Sequence, residues 1–281
     1  MRGEIFLSDL IQEVERSLIK RYRKDLWSNF VKAIKEYKMI EPNDKIAVAI
    51  SGGKDSLILA KLMQEIKRHG DMPFELEFIS MNPGFTEENL HILTENCQKL
   101  GIPVKIKESN VFQVAKKMSK EGQTPCYMCA RMRRGFLYGY AKELGCNKLA
   151  LGHHFNDVIE TTLINILYAG SFKTMVPKVH AENFPDMELI RPLFFVKEDA
   201  IKKFMNYHNI HTMNCGCEVS KGDIPSKRKE VKNLIKDLKL KSDIIDQNIF
   251  KSAANVNLGA ILGYKTDDEF VDFNEIYEKG I

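Results

Sequence analysis

The chain has 281 residues, 44% of them hydrophobic and 28% charged, with a formal net charge of +4. That length fits one large or two modest domains with a full core, and the composition is that of an ordinary globular protein. No apolar run approaches the ~20 residues of a membrane helix, and Met1-Arg2-Gly3-Glu4 soon carries acid and leads into no long apolar core, so neither a membrane protein nor a signal peptide is expected and the location reads as cytoplasmic.

Residues 4–39 show helical periodicity through Leu10, Val14, Leu18, Trp27, Phe30, Val31, Ile34 and Tyr37, with many charges between them. The turn Glu41-Pro42-Asn43-Asp44 ends this N-terminal helical arm. From residue 45 strands and helices alternate: strands at 46–50, 75–81, 103–107, 148–152 and 188–191, helices at 55–69, 86–100, 129–144, 156–168 and 197–208. The alternation predicts an α/β fold, a parallel sheet with helices on both faces. Residues 226–239 predict a basic amphipathic helix, followed by helical stretches and an acidic end. The expected organisation is a helical arm at 1–40, an α/β domain at 41–225 and a helical segment at 226–281.

Ligands in such sheets bind beyond the carboxyl ends of the strands, and two segments lie there. The first, Ser51-Gly52-Gly53-Lys54-Asp55-Ser56, joins the apolar strand Ile46–Ile50 to a helix. A glycine pair in that position exposes backbone N–H groups at a helix N-terminus, which holds phosphate. Lys54 adds a point charge, and Ser51 and Ser56 add hydroxyl donors. Asp55 beside bound phosphates is repulsive unless a divalent cation intervenes, which suggests Mg²⁺. The loop is not of the kinase type, which needs Gly at 48 and Ser or Thr at 55, where this chain has Val48 and Asp55. The second segment is Leu151-Gly152-His153-His154-Phe155-Asn156-Asp157. Gly152 allows a close backbone approach, and Asp157 opens the next helix near enough to share a cation with Asp55, or serves there as a cap.

Six cysteines are present. Cys97 and Cys146 sit in helix-like surroundings and read as buried or idle. Cys126 and Cys129 form a C-x-x-C at the start of a predicted helix, where thiolate is favoured, and Cys215 and Cys217 form a later C-x-C. The pattern fits an iron–sulfur cluster on three thiolates with one open iron, and equally a structural zinc on all four. Basic clusters at Lys20, Arg21, Arg23 and Lys24, at Arg131, Arg133 and Arg134, and at Lys227, Arg228 and Lys229 point to a polyanionic partner.

The hexapeptide Ser51–Ser56 resembles the PP-loop of the ATP pyrophosphatase superfamily, which implies a Rossmann-like PP-loop domain and cleavage of ATP between the α- and β-phosphates. In that superfamily a similar Gly-His-x-x-x-Asp segment lies near the nucleotide; by resemblance Gly152 and His153 line the site, Asp157 helps hold Mg²⁺, and the backbone around Ile79, Ser80 and Met81 faces the adenine. From about Lys20 to about Phe273 the chain resembles the tRNA-cytidine 2-sulfurtransferases. The carriers are Ser51–Ser56, the run Cys126-Tyr127-Met128-Cys129-Ala130-Arg131-Met132-Arg133-Arg134-Gly135, the Leu151–Asp157 segment, Ile190-Arg191-Pro192-Leu193 and the late cysteines. This resemblance implies an enzyme that adenylates the C2 oxygen of a tRNA pyrimidine, cytidine 32, and replaces it with sulfur. It implies a 4Fe-4S cluster on Cys126, Cys129 and a late cysteine, with Lys54 and Asp55 serving catalysis. Spacing from Arg191-Pro192-Leu193 favours Cys217, with Cys215 the alternative, since this chain has C-x-C where C-x-x-C is usual. That departure leaves open thiolation of another base, although the paired terminal zinc modules of the 2-thiouridine relatives are lacking. Sulfide or a cysteine desulfurase persulfide would be the sulfur donor, and relatives suggest a homodimer. The competing readings are a PP-loop ligase such as lysidine synthetase, needing no cluster, and a nucleotide-binding sulfur carrier or sensor with a structural zinc.

Overall fold

The computed structural model describes residues 2–118, 126–213, 227–266 and 269–280. The chain clusters into two compact units, residues 1–158 with 176–224 and residues 159–175 with 225–281. This division differs from the three segments expected above.

The first unit opens with helix α1 (Arg2–Ile19), a π-helical turn at Arg23–Trp27 and α2 (Ser28–Glu36). Leu18, Leu26, Phe30 and Ala33 are completely buried, so this arm is part of the unit's core. There follow β1 (Lys45–Ala49), α3 (Lys54–His69), β2 (Glu75–Asn82), α4 (Glu87–Lys99), β3 (Val104–Glu108), α5 (Val111–Met118), α6 (Cys126–Glu143) and β4 (Lys148–Ala150). Helix α7 (Phe155–Ala169) carries the boundary between the units; β5 (Lys178–Ala181), β6 (Phe184–Ile190) and α8 (Glu198–Tyr207) return to the first.

The six strands lie in the order β3-β2-β1-β4-β6-β5. All neighbours are parallel except β5, which runs antiparallel to β6 at the edge. Strand β1 is apolar on both faces because both are covered, as parallel strands require. Ala47 and Ala49 pack with Leu149, Leu189 and Met187 against Tyr138 and Ala141 of α6. Ile46 and Val48 point the other way and are equally buried. After β1 the chain steps outward through β2 and β3, then crosses back to place β4 on the other side of β1. The β1–β4 pair is therefore the topological switch point, where the crevice beyond the strand ends opens.

The second unit holds residues 159–175 and, beyond α9 (Lys227–Lys241), α10 (Ile245–Ser252), a 3₁₀ turn at Leu258–Ala260, the hairpin β7 (Gly263–Lys265) with β8 (Phe270–Asp272), and α11 (Phe273–Lys279). Val231, Ile235, Val271 and Ile276 form its buried interior. Arg228 pairs with Glu160 at 3.8 Å and Lys239 with Asp246 at 3.1 Å. Among the described residues no helix is long and apolar enough to cross a membrane.

Candidate active site

The expected phosphate loop leaves the carboxyl end of β1 at the switch point. Gly52 has φ +79°, and a Cβ there would lie 2.4 Å from Met213 Sδ, so only glycine fits. The Gly52 carbonyl accepts from the Met213 N–H at 3.2 Å. Gly53 is the N-cap of α3 in an extended conformation, and no side chain caps the helix there. The orphan N–H groups of that first turn are thus left for a ligand. Ser56 Oγ is buried inward, accepting from the Ser51 N–H at 3.1 Å and donating to the Gly53 carbonyl at 2.9 Å. Ser56 therefore holds the loop's shape, while Ser51 lies at the exposed surface.

Lys54 and Asp55 begin α3 in a cluster of charge. The Lys54 ammonium lies 3.0 Å from Asp55 Oδ2 and 3.1 Å from Glu198 Oε1. Burial disfavours the ammonium, but Asp55 and then Glu198 more than offset it, so the lysine pKa is held above 10.5. Glu198 is presented by a tie between two helix starts. The Glu198 N–H donates to Asn156 Oδ1 at 2.9 Å, and the Phe155 N–H donates to the Val196 carbonyl at 3.0 Å.

Asp157 reaches back to the strand end, its Oδ2 accepting from the His154 N–H at 2.9 Å in the manner of a capping box. The Asp157 N–H in turn donates to His154 Nδ1 at 3.3 Å. Nδ1 also lies 3.2 Å from Asp157 Oδ2, and Nε2 on the far side of the ring lies 3.7 Å from Asp55 Oδ1. The buried His154 ring thus stands between the two aspartates predicted to hold a cation. Asp55 Oδ1 is buried without a hydrogen bond. Three carboxylates (Asp55, Asp157 and Glu198) gather here with Lys54, and Lys202 lies 2.9 Å from Glu198 Oε2; the oxygens of Asp55 and Asp157 are hard donors of the kind a divalent cation takes.

Gly152 lies beyond β4, beside the start of α3. A Cβ on it would be 3.0 Å from the Asp55 carbonyl, so the glycine permits the two segments to touch. His153 follows it, half-buried at the end of β4. Ile79 and Met81 end β2; both side chains are buried, and the Ile79 carbonyl accepts from the Ile50 N–H at 2.8 Å. One strand further, Arg191 follows β6 and is only 7% exposed. Its Nη1 donates to the Val176 carbonyl and its Nε has no partner. Burial lowers the Arg191 pKa to about 10, Arg134 of α6 adds to the drop, and Tyr138 and Asp157 oppose it.

Cys126 and Cys129 occupy the first turn of α6, three residues earlier than the helix expected at 129–144. Cys215 and Cys217 lie outside the described residues; Met213, against Gly52, precedes Cys215 by two positions. Cys97 and Cys146 are buried, and burial pushes their thiols up to about 12 and about 11.

A family model described as the PP-loop domain matches residues 24–214. The tRNA-cytidine(32) 2-sulfurtransferase of Burkholderia ambifaria (strain MC40-6) is 33% identical over 266 residues, which cover 90% of this chain and 76% of that protein. The enzyme of that name from Pelobacter propionicus is 36% identical over 226 residues, covering 80% of this chain and 83% of that one. Among solved structures, the U34-tRNA thiolase NcsA from Methanococcus maripaludis, solved with its 4Fe-4S cluster, aligns with a TM-score of 0.61 at 23% identity over 82% of this chain and 79% of that chain. That likeness is one of fold.

Proposed function

The chain belongs to the PP-loop family and, within it, to the tRNA-cytidine(32) 2-sulfurtransferases, and on that premise we propose that it uses ATP to replace the C2 oxygen of cytidine 32 in tRNA with sulfur. One observation carries the nucleotide half of this reading. The uncapped start of α3 at the switch point places the free N–H groups after Gly53 together with the partly exposed side chains of Lys54 and Asp55.

The C2 oxygen is a poor leaving group. In the first step it attacks the α-phosphorus of ATP; the α–β bridging bond breaks and pyrophosphate leaves with its electron pair. In the second step hydrosulfide sulfur bonds to C2, the C2–O bond breaks, AMP leaves with the oxygen, and the sulfur loses its proton. The free N–H groups of α3 and Lys54 take charge that develops on the phosphates. Lys54 gives up one of its two carboxylate contacts to do so. Asp55 and Asp157 would hold Mg²⁺, which shields the phosphates from their charge, and His154 keeps the two aspartates in place. Gly152, His153 and the strand end at Ile79 and Met81 line the nucleotide.

Cys126 and Cys129 with Cys217, or Cys215 in its place, would hold a 4Fe-4S cluster, whose chemistry when bound is an iron position open to hydrosulfide. Sulfide or a desulfurase persulfide supplies the sulfur. Arg131, Arg133 and Arg134 grip tRNA phosphates around the unstacked base. Arg134 and Arg191 repel one another, so an anion of the substrate between them relieves both. The enzyme acts in the cytoplasm as a homodimer.

Anaerobically prepared protein tests this reading. The expected result is iron and sulfide bound to the chain and 2-thiocytidine in tRNA by nucleoside mass spectrometry after incubation with ATP and sulfide. Iron-free protein that leaves tRNA sulfur unchanged overturns it.

A further inference from the structure

The second unit contains a cavity of about 1350 Å³, lined entirely by residues of that unit. It exceeds the roughly 300–1,000 Å³ of small-ligand clefts. Phe172, 51% exposed, and Phe270, 64% exposed, line it together with half-buried Tyr264. Clustered exposed apolar surface of this kind marks an interaction or ligand site. Phe270 is also held in place. A Cβ at Gly263 would lie 2.9 Å from its ring and 2.8 Å from the Val271 carbonyl, so the glycine of β7 is the notch over which the ring reaches from β8.

Lys173 and Lys265 line the cavity, and no carboxylate does among the described residues, although Glu269, next to Phe270, donates its N–H to the lining Thr266. Neither lysine has a carboxylate within ion-pair distance among the described residues, whereas Arg228 and Lys239 of the same unit are ion-paired. Asn255 adds an amide able to donate and accept. Exposed aromatic faces beside lysines with no carboxylate partner among the described residues are complementary to unpaired nucleotides: bases stack on the rings while the lysines meet phosphates.

We infer that this cavity binds a single-stranded segment of RNA, its bases stacked on Phe172 and Phe270 and its phosphates on Lys173 and Lys265. The inference rests on the tRNA-modifying reading for the identity of the RNA, in which this site captures an unpaired stretch of the substrate apart from the reacting base.

The test measures binding of unmodified tRNA and of a short single-stranded RNA by the full chain, alongside steady-state thiolation. Phe270→Ala is expected to weaken RNA binding about tenfold, since a stacked base contributes roughly 1–3 kcal/mol. Phe270→Leu keeps an apolar cover over Gly263 and removes the π face; it is expected to lose affinity similarly, which separates stacking from a folding defect. The Lys173→Gln, Lys265→Gln double variant should flatten the slope of log K against log salt by about 1.4. All variants should raise KM for tRNA and leave kcat and ATP affinity unchanged. Wild-type affinity and salt slope in these variants, with wild-type thiolation intact, overturn the inference and spare the enzyme reading. RNA binding that depends on Phe270 in a chain that thiolates no tRNA does the reverse.

Discussion

Two lysines on the same helix show what separates a working charge from a structural one. Lys54 begins α3 and Lys61 lies two turns on, and each is held by carboxylates. The Lys61 ammonium is 1% exposed, 2.8 Å from Glu15 and 2.8 Å from Gln64. Around it Glu15 and Glu65 are balanced by Lys61 and Arg68. Around Lys54, Asp55 and Glu198 are met by Lys54 and Lys202, and the pair of Lys54 and Asp55 remains about a quarter exposed. Each network leaves one oxygen without a hydrogen bond, Glu65 Oε2 and Asp55 Oδ1, so that feature alone does not distinguish them. Access does. A closed network joins α1 to α3, while the network around Lys54 stays open to solvent, as the proposed binding of a cation and a phosphate chain requires.

Breaking each network should have a different consequence. Lys54→Ala is expected to slow formation of AMP about 10³-fold, the upper range for losing one preorganised donor, with the thermal midpoint little changed. Lys61→Met should destabilise the fold by about 3 kcal/mol in urea unfolding, because Glu15 loses its buried partner, while AMP formation per folded molecule stays at the wild-type rate. A stability loss at Lys54 without a rate loss, or a rate loss at Lys61, would erase the distinction. Gly152→Ala sharpens it further. Its methyl would push against the Asp55 carbonyl, moving the start of α3 and slowing AMP formation roughly 10²-fold.

The two lysines should also titrate with opposite sign. Burial holds the Lys61 pKa below 10.5 despite Glu15. The unfolded chain therefore binds more protons just below pH 10.5, and stability from this site rises with pH there. The Lys54 pKa lies above 10.5, so the stability its pairing contributes is intact below that pH and is lost as pH climbs through the folded value. Urea midpoints measured against pH should show each slope disappear in the matching methionine variant, with neither slope exceeding about 1.4 kcal/mol per pH unit. The smallest effect concerns Cys97 and Cys146. With pKa values pushed up to about 12 and about 11, neither should be alkylated at pH 8 in the native protein, as peptide mapping would show.

Much of this was legible in the chain because it is local. Strand, glycine turn and helix are contiguous around Ser51–Ser56, and the alternation from residue 45 fixes the parallel sheet. Gly152 and Asp157 were legible for the same reason. Glu198 was not, since its meeting with Lys54 depends on the tie between the starts of α7 and α8, and nothing near residue 198 but an ordinary helix start signals it. Nothing in the sequence singles out His154; its burial between two aspartates follows from Asp157 turning back on the strand end. The antiparallel edge was missed because Lys178–Ala181 is only a four-residue strand, and Pro185 and Asp186 break the apolar run of its partner. The short helix Val111–Met118 also went unexpected. Cys126 and Cys129 open α6, but the late pair falls outside the described residues, so the thiolate set still rests on the sequence.

The most direct measurement is the stoichiometry of products when the protein is given ATP, sulfide and tRNA lacking 2-thiocytidine. One AMP and one pyrophosphate for each 2-thiocytidine formed is the expected result. Release of ADP and phosphate, or AMP formation that leaves cytidine 32 unthiolated, would contradict the reading of the α3 crevice as the place where the C2 oxygen is activated.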